Sequence, residues 1–150
     1  MNLAIWRRTA DGYLLATDAL YKMRRDGVAF FKYYISPFAV NCACACELYL
    51  KYLYFREEGK PTKEHHRLLN IYNQLSDDTK LQIKSEYEKW TSILPLEQCL
   101  MTHDLAFIDW RYLYECEGKT RSIEPQSMYN LAISLHNICL RNEEANSNAD

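Results

Sequence analysis

Glu47 and Lys51 stand four residues apart with the carboxylate on the N-terminal side, the order that favours an ion pair along one helical face. Both lie among apolar neighbours in Ala45-Cys46-Glu47-Leu48-Tyr49-Leu50-Lys51. An unpaired charge is costly in such surroundings, so a buried or groove-lining pair with further partners is expected. Asp104, Arg111 and Glu115 fall on one side of a second helical pattern, beside an aromatic stripe of Phe107, Trp110 and Tyr114. Arg111 could answer Glu47 across a helix interface, because a guanidinium fork matches a carboxylate. Alternatively, Arg111, Lys51 and His66 could meet an anionic group such as phosphate, with Glu47 and Glu115 tuning their charge. His65-His66 reads as the opening of a short helix. There His66 could act as a general base, touch nucleic acid, cap the helix or bond the loop over 59–63. His103 and His136 sit within apolar stripes and read as satisfied core residues.

Cys42-Ala43-Cys44-Ala45-Cys46 resembles a metal signature only until helical geometry is applied. Residues two apart on a helix point roughly 200° from one another, so only Cys42 and Cys46 share a face. There is no C-x2-C pair and no histidine at chelating spacing, and neither a metal nor a cofactor is expected. The chain also lacks a glycine-rich phosphate loop, a G-x-S-x-G elbow and an H-E-x-x-H pair.

The elements that must position these groups read as helices. Glycine and proline number four each and are taken as punctuation between periodic stretches. A first helix spans Arg7 to Arg24, with Ala10, Leu14, Thr17 and Tyr21 inward and Gly27 closing it. The dense aromatic run over 28–35 either extends that helix or forms a packed connection. Ser36-Pro37 opens a second helix that is apolar on all sides, hence central and buried, and Gly59 and Pro61 end it. A short helix over 64–75, one capped by Ser76 and reaching Trp90, a long one over 96–117 and a last one from Pro125 complete the set. The expectation is an all-α, up-and-down helical bundle of about five to six helices. Residues 1–141 form one domain, and 142–150 form a disordered polar tail.

A net charge of −2 lacks the global basic excess of a dedicated nucleic-acid binder, although Arg7-Arg8 and Arg24-Arg25 leave room for a local basic patch. No apolar run reaches the roughly 18 residues that a bilayer requires, and the charges at the start follow the apolar piece. A cytoplasmic protein without membrane contact is expected, its six cysteines reduced. Phe30, Phe31, Tyr33 and Tyr34 are candidates for an aromatic dimer face, since an uncovered patch of that size is otherwise a liability.

Three strings carry a family resemblance: Ala45 to Lys51, then His65-His66-Arg67-Leu68-Leu69, then Phe107-Ile108-Asp109-Trp110-Arg111-Tyr112-Leu113-Tyr114-Glu115. In order and spacing the chain over 36–115 resembles a stand-alone prokaryotic HEPN (higher eukaryotes and prokaryotes nucleotide-binding) domain. The resemblance implies a helical bundle, a homodimer, and a role in toxin–antitoxin, phage-defence or RNA-processing systems, often beside a small nucleotidyltransferase. Many members are metal-independent ribonucleases with an R-x4-6-H motif, in which arginine holds the scissile phosphate and histidine handles the proton.

This chain departs from that motif. The three positions after Arg111 that should offer histidine hold Cys116, Glu117 and Gly118, and Arg56, Arg67 and Arg121 fail in the same way. Glu47, Lys51, His66, Arg111 and Glu115 therefore carry over as recurring family positions without an assigned catalytic role. The resulting expectation is a non-catalytic or unconventional HEPN-like protein that binds RNA, a nucleotide or a partner protein. The alternative is a metal-independent ribonuclease using His66 with Arg111 or Lys51, which requires these three to line one accessible cleft.

Overall fold

A computed structural model describes residues 2–115 and 122–147 of the chain. It is all-α, with no strand among the described residues, and its helices pack as a bundle. The long members are α1 (Leu3–Lys22), α3 (Ile35–Glu58) and α8 (Pro125–Ser147). Cross-helix contacts fix their directions. Trp6 meets Phe55, Asp11 meets Tyr49 and Tyr21 meets Phe38, so α1 runs antiparallel to α3. Cys42 meets Met128, Tyr49 meets His136 and Tyr52 meets Glu143, so α8 runs parallel to α3. The chain between them returns through α4 (Leu68–Asn73), α5 (Asp77–Tyr87), α6 (Leu96–Thr102) and α7 (Ala106–Arg111).

The reason α3 is central lies in its composition. Phe38, Cys42, Ala45, Cys46, Tyr49 and Leu50 are all fully buried, and small residues at 39, 43 and 45 let neighbouring helices approach closely. Its end matches the sequence reading: Gly59 takes a left-handed conformation, with φ of 67°, and returns its N–H to the Phe55 carbonyl. Its beginning does not. Ser36 is no cap; its hydroxyl donates to the Trp110 carbonyl at 2.9 Å. Helix instead resumes at α2 (Gly27–Ala29), capped by the Asp26 carboxylate, and passes through a π-helical turn, Phe30–Tyr34, directly into α3. Pro37 has no N–H to offer Tyr33 and would crowd its carbonyl, and the widened turn accommodates this.

Several boundaries shift for reasons that tertiary contacts supply. Asn2 caps α1 and starts it at Leu3, Gly12 lies inside that helix, and Gly27 opens a helical turn rather than closing one. The short helix begins at Leu68, not Glu64, because its caps come from elsewhere: Asp104 accepts the Leu68 N–H on its carbonyl and the Leu69 N–H on its carboxylate. The same residue explains why the expected long helix over 96–117 is broken. His103 turns inward, bonded to the Cys99 carbonyl at 2.8 Å and to the Glu124 N–H at 3.0 Å, and Asp104 turns to α4. After α7 a 3₁₀ turn, Leu113–Glu115, follows, and residues 116–117 lie outside the described residues. At the other end, α8 continues through Ser147 where a disordered tail from Asn142 was expected. Glu143 explains it, since Arg7 of α1 and Tyr52 of α3 both hold its carboxylate. Residues 148–150 lie outside the described residues. No described helix is long and apolar enough to cross a membrane.

Candidate functional site

Lys51 lies one turn beyond Glu47 on α3, and its ammonium reaches Glu47 Oε1 at 2.6 Å. The other carboxylate oxygen takes His66 Nδ1 at 3.0 Å. Because a carboxylate only accepts, Nδ1 must carry the proton, which in the neutral ring leaves Nε2 as an acceptor. His65 completes the group: its Nδ1 lies 3.3 Å from the Lys51 ammonium, a donor only, and so accepts. Glu47 is 7% exposed. Burial alone would raise its carboxyl pKa; the Lys51 ammonium and the His66 donors, backbone N–H included, outweigh burial and hold it below the usual carboxylate value.

His66 reaches Glu47 at a cost. Its φ is 61°, and among the described residues it is the one non-glycine in the left-handed region. A β-carbon there is unfavourable by about 1 kcal/mol or more, so the surroundings must enforce the conformation. They do so from two sides: Glu47 grips the ring nitrogen and the backbone, and the imidazole stacks on Phe107 of α7, with centroids 4.5 Å apart and planes 16° apart. Arg111, one turn beyond Phe107, lays its guanidinium 5.3 Å from the same ring. Thus α3, the 60–67 loop and α7 bring Lys51, His66 and Arg111 around one carboxylate and one aromatic ring.

The arrangement differs from the expectation in four respects. Arg111 does not answer Glu47, whose oxygens Lys51 and His66 already occupy; it stays exposed on the rings of Phe107 and Tyr112. His66 does not open or cap α4, a task that Asp104 performs. Glu115 stands on the exposed 3₁₀ turn, and none of the cluster's described contacts reaches it. Nor do the three basic residues border the 470 Å³ groove lined by Tyr72, Tyr87, Trp90 and Ile93; they gather around Glu47 and Phe107 as a shelf in which Lys51 is largely covered, His66 half-buried and Arg111 exposed. Of the candidate dimer face, Phe30 is 1% exposed and belongs to the core, where it packs edge-on against Phe38. Phe31 and Tyr33 are each 62% exposed, and Tyr34 is half-buried.

His103 is fully buried with both ring nitrogens bonded, as a core histidine should be, whereas His136 is half-buried in a network that sequence reasoning missed. Tyr49 of α3 donates to Asp11 of α1 at 2.7 Å, and His136 Nδ1 of α8 lies 3.1 Å from both. Arg7 forms an ion pair with Glu143, at 2.8 Å, in the adjoining layer. These partners are too far apart in sequence for periodicity to join them. Cys42 and Cys46 are buried, and the half-buried Cys44 thiol is pushed up to about 11 by burial and by Glu47, with Arg111 opposing. Burial raises the Cys42 thiol as well, so Cys42 and Cys44 stay protonated at neutral pH, and the run serves as packing material. No group of His, Cys, Asp or Glu suited to a metal ion occurs among the described residues.

Acid should destabilise this fold in two stages. Burial holds His103 below its ordinary value of 6.5, so the unfolded chain binds that proton more readily. Stability from this group is full above pH 6.5 and declines as the pH falls through the folded-state value. Glu47, Glu57 and Glu86 are all held below 4.5 by their donors despite burial, and their contribution is lost as the pH drops below that value. Urea midpoints at pH 7.5, 5.5 and 3.5 should fall modestly and then steeply. Equal midpoints at 7.5 and 3.5 would contradict the assignments.

The fold and site define an all-α bundle in which Glu47 of the central helix gathers Lys51 and His66, with Arg111 of α7 on the Phe107 ring against which His66 stacks. Comparison with protein-family models, curated proteins and solved structures returns no match for this chain.

Proposed function

We propose that the chain is a HEPN-like helical protein, without the family's R-x4-6-H centre, that binds RNA through the shelf formed by Lys51, His66 and Arg111. The observation that carries this reading is His66 itself. A residue held in left-handed backbone, its Nδ1 fixed on Glu47 and its ring on Phe107, is ordered at a cost, and such costs gather at binding sites. The neutral ring then offers its Nε2 lone pair to a donor such as a ribose hydroxyl, while the exposed Arg111 guanidinium, held on the same Phe107 ring, pairs well with phosphate. The resemblance supplies the setting, a prokaryotic toxin–antitoxin or phage-defence system with a nucleotidyltransferase or similar partner.

Arg111→Ala should weaken binding of a single-stranded oligoribonucleotide about tenfold, the size of one lost charged hydrogen bond, and His66→Ala about fivefold, the size of one lost neutral one. Arg111→Ala should also flatten the salt dependence by about one phosphate contact. Fluorescence anisotropy across a salt series reads both, and variants that bind like the wild type would refute the site.

The fixed tautomer of His66 favours one further reading, metal-independent RNA cleavage, because a free Nε2 can accept the proton of a 2′-hydroxyl. Cleavage in the presence of chelator that is lost in His66→Ala would establish it. Cleavage persisting in both variants would assign the activity to a contaminant.

A further inference from the structure

Away from the shelf, the end of α1, the π-helical turn and the start of α8 enclose a 260 Å³ concavity lined by Tyr21, Arg24, Phe30, Phe31, Glu124 and Gln126. Its back wall is a stack. Tyr129 lies on Tyr21 with centroids 4.2 Å apart and planes 24° apart, and the Arg24 guanidinium lies 4.0 Å from the Tyr21 centroid. Two groups that close to one centroid must occupy opposite faces. The Arg24 guanidinium is tied at 3.0 Å to the Tyr21 carbonyl, so it forms the outermost layer of a Tyr129–Tyr21–Arg24 stack.

The surroundings are apolar and cationic together. Val28, Phe31 and Tyr33 are among the most exposed large apolar side chains, and Arg25 and Lys32 are exposed beside them. The nearby carboxylates are already engaged. Asp26 caps the Ala29 N–H, Asp18 holds Lys22 and Tyr129, and Glu124 accepts the Gln126 and Ser127 N–H groups. Lys22, Arg24, Arg25 and Lys32 outnumber these three carboxylates by one, a small cationic excess where flat rings are uncovered. A polyanion that carries flat, stackable groups complements both properties, and single-stranded nucleic acid has both. The volume is below that of a drug-sized pocket and suits one base.

We propose that this concavity is a second RNA contact, in which one unstacked base continues the Tyr129–Tyr21–Arg24 stack against Phe31 while Arg25 and Lys32 take the flanking phosphates. The proposal rests on the reading of the chain as an RNA binder and adds a recognition surface distinct from the Glu47–His66 shelf. Single strands are favoured over duplexes, because only an unpaired base can enter the stack.

Arg24→Ala and Phe31→Ala remove exposed side chains, so both variants should fold, with unchanged circular dichroism. Each should lower the affinity of the full chain for a labelled, unstructured oligoribonucleotide about tenfold, the effect of losing one stacking partner. Ultraviolet cross-linking should map to the peptide over 21–33, and a duplex of the same sequence should bind more weakly than the single strand. Normal binding by both variants, alongside weakened binding by His66→Ala and Arg111→Ala, would overturn this proposal and leave the shelf standing. Loss in Arg24→Ala and Phe31→Ala with no change in the shelf variants would support it and refute the shelf. A wild-type chain that binds no oligoribonucleotide overturns both. If Phe31→Ala abolishes self-association in sedimentation, or binding to phosphatidylglycerol vesicles, while RNA binding is untouched, the surface serves a second copy or a membrane and the proposal fails.

Discussion

Glu47→Ala is expected to lower the unfolding free energy by about 3 kcal/mol, the typical cost of removing one partner from a buried charge pair. The carboxylate is nearly inaccessible, and both its oxygens are taken by cationic or donor groups. Without it the Lys51 ammonium, itself largely covered, loses its anion, and His66 loses the contact that offsets its left-handed backbone. Two linked outcomes follow. Glu47→Leu combined with Lys51→Met should recover most of the stability, because an apolar pair of similar volume replaces the charges. The same double variant should still bind RNA poorly, because the His66 ring is no longer held and Lys51 is gone. Chemical denaturation and anisotropy on the three proteins separate the effects. A cost below about 1 kcal/mol for Glu47→Ala would show that the cluster does not order the loop.

Tyr49→Ala should be more damaging still, at about 3–5 kcal/mol, as expected when a buried aromatic ring is deleted from a close-packed core. Tyr49 is fully buried and joins the three long helices, reaching from α3 to Asp11 of α1 and His136 of α8. Tyr49→Phe is the informative companion. It keeps the ring and removes the hydroxyl, and Asp11 and His136 remain bonded to one another at 3.1 Å, so the loss should be only about 1 kcal/mol. Burial and the Asp11 carboxylate push the Tyr49 hydroxyl far above its ordinary value, so the phenol itself stays protonated between pH 6 and pH 9. Comparable losses for Tyr49→Phe and Tyr49→Ala would assign the stability to the polar network rather than to packing.

Much of the scaffold could be read directly from local pattern. The inward stripe of α1 holds, with Ala10 and Thr17 buried, and α3 is covered on most of its surface as its apolar composition requires. Ser76 caps α5, and Pro125 is the first residue of α8. In each case the determinant lies within one or two helical turns, the range over which side-chain periodicity and capping act. The Glu47–Lys51 pair belongs to the same class, since spacing alone places the two on one face.

Tertiary contacts decided the rest. Residues 96–117 have an uninterrupted helical pattern, yet bonds from His103 to Glu124 and from Asp104 to Leu69 are worth more than one continuous helix. Phe30 and Phe31 are identical in sequence terms, but their directions from the π-helical turn put one in the core and the other in solvent. The sequence by itself determined that Glu47 would be buried with Lys51 beside it. It did not determine that His66, rather than Arg111, would take the second oxygen. That choice depends on a loop folded into a left-handed turn against Phe107, a contact between residues 41 positions apart that no local preference encodes.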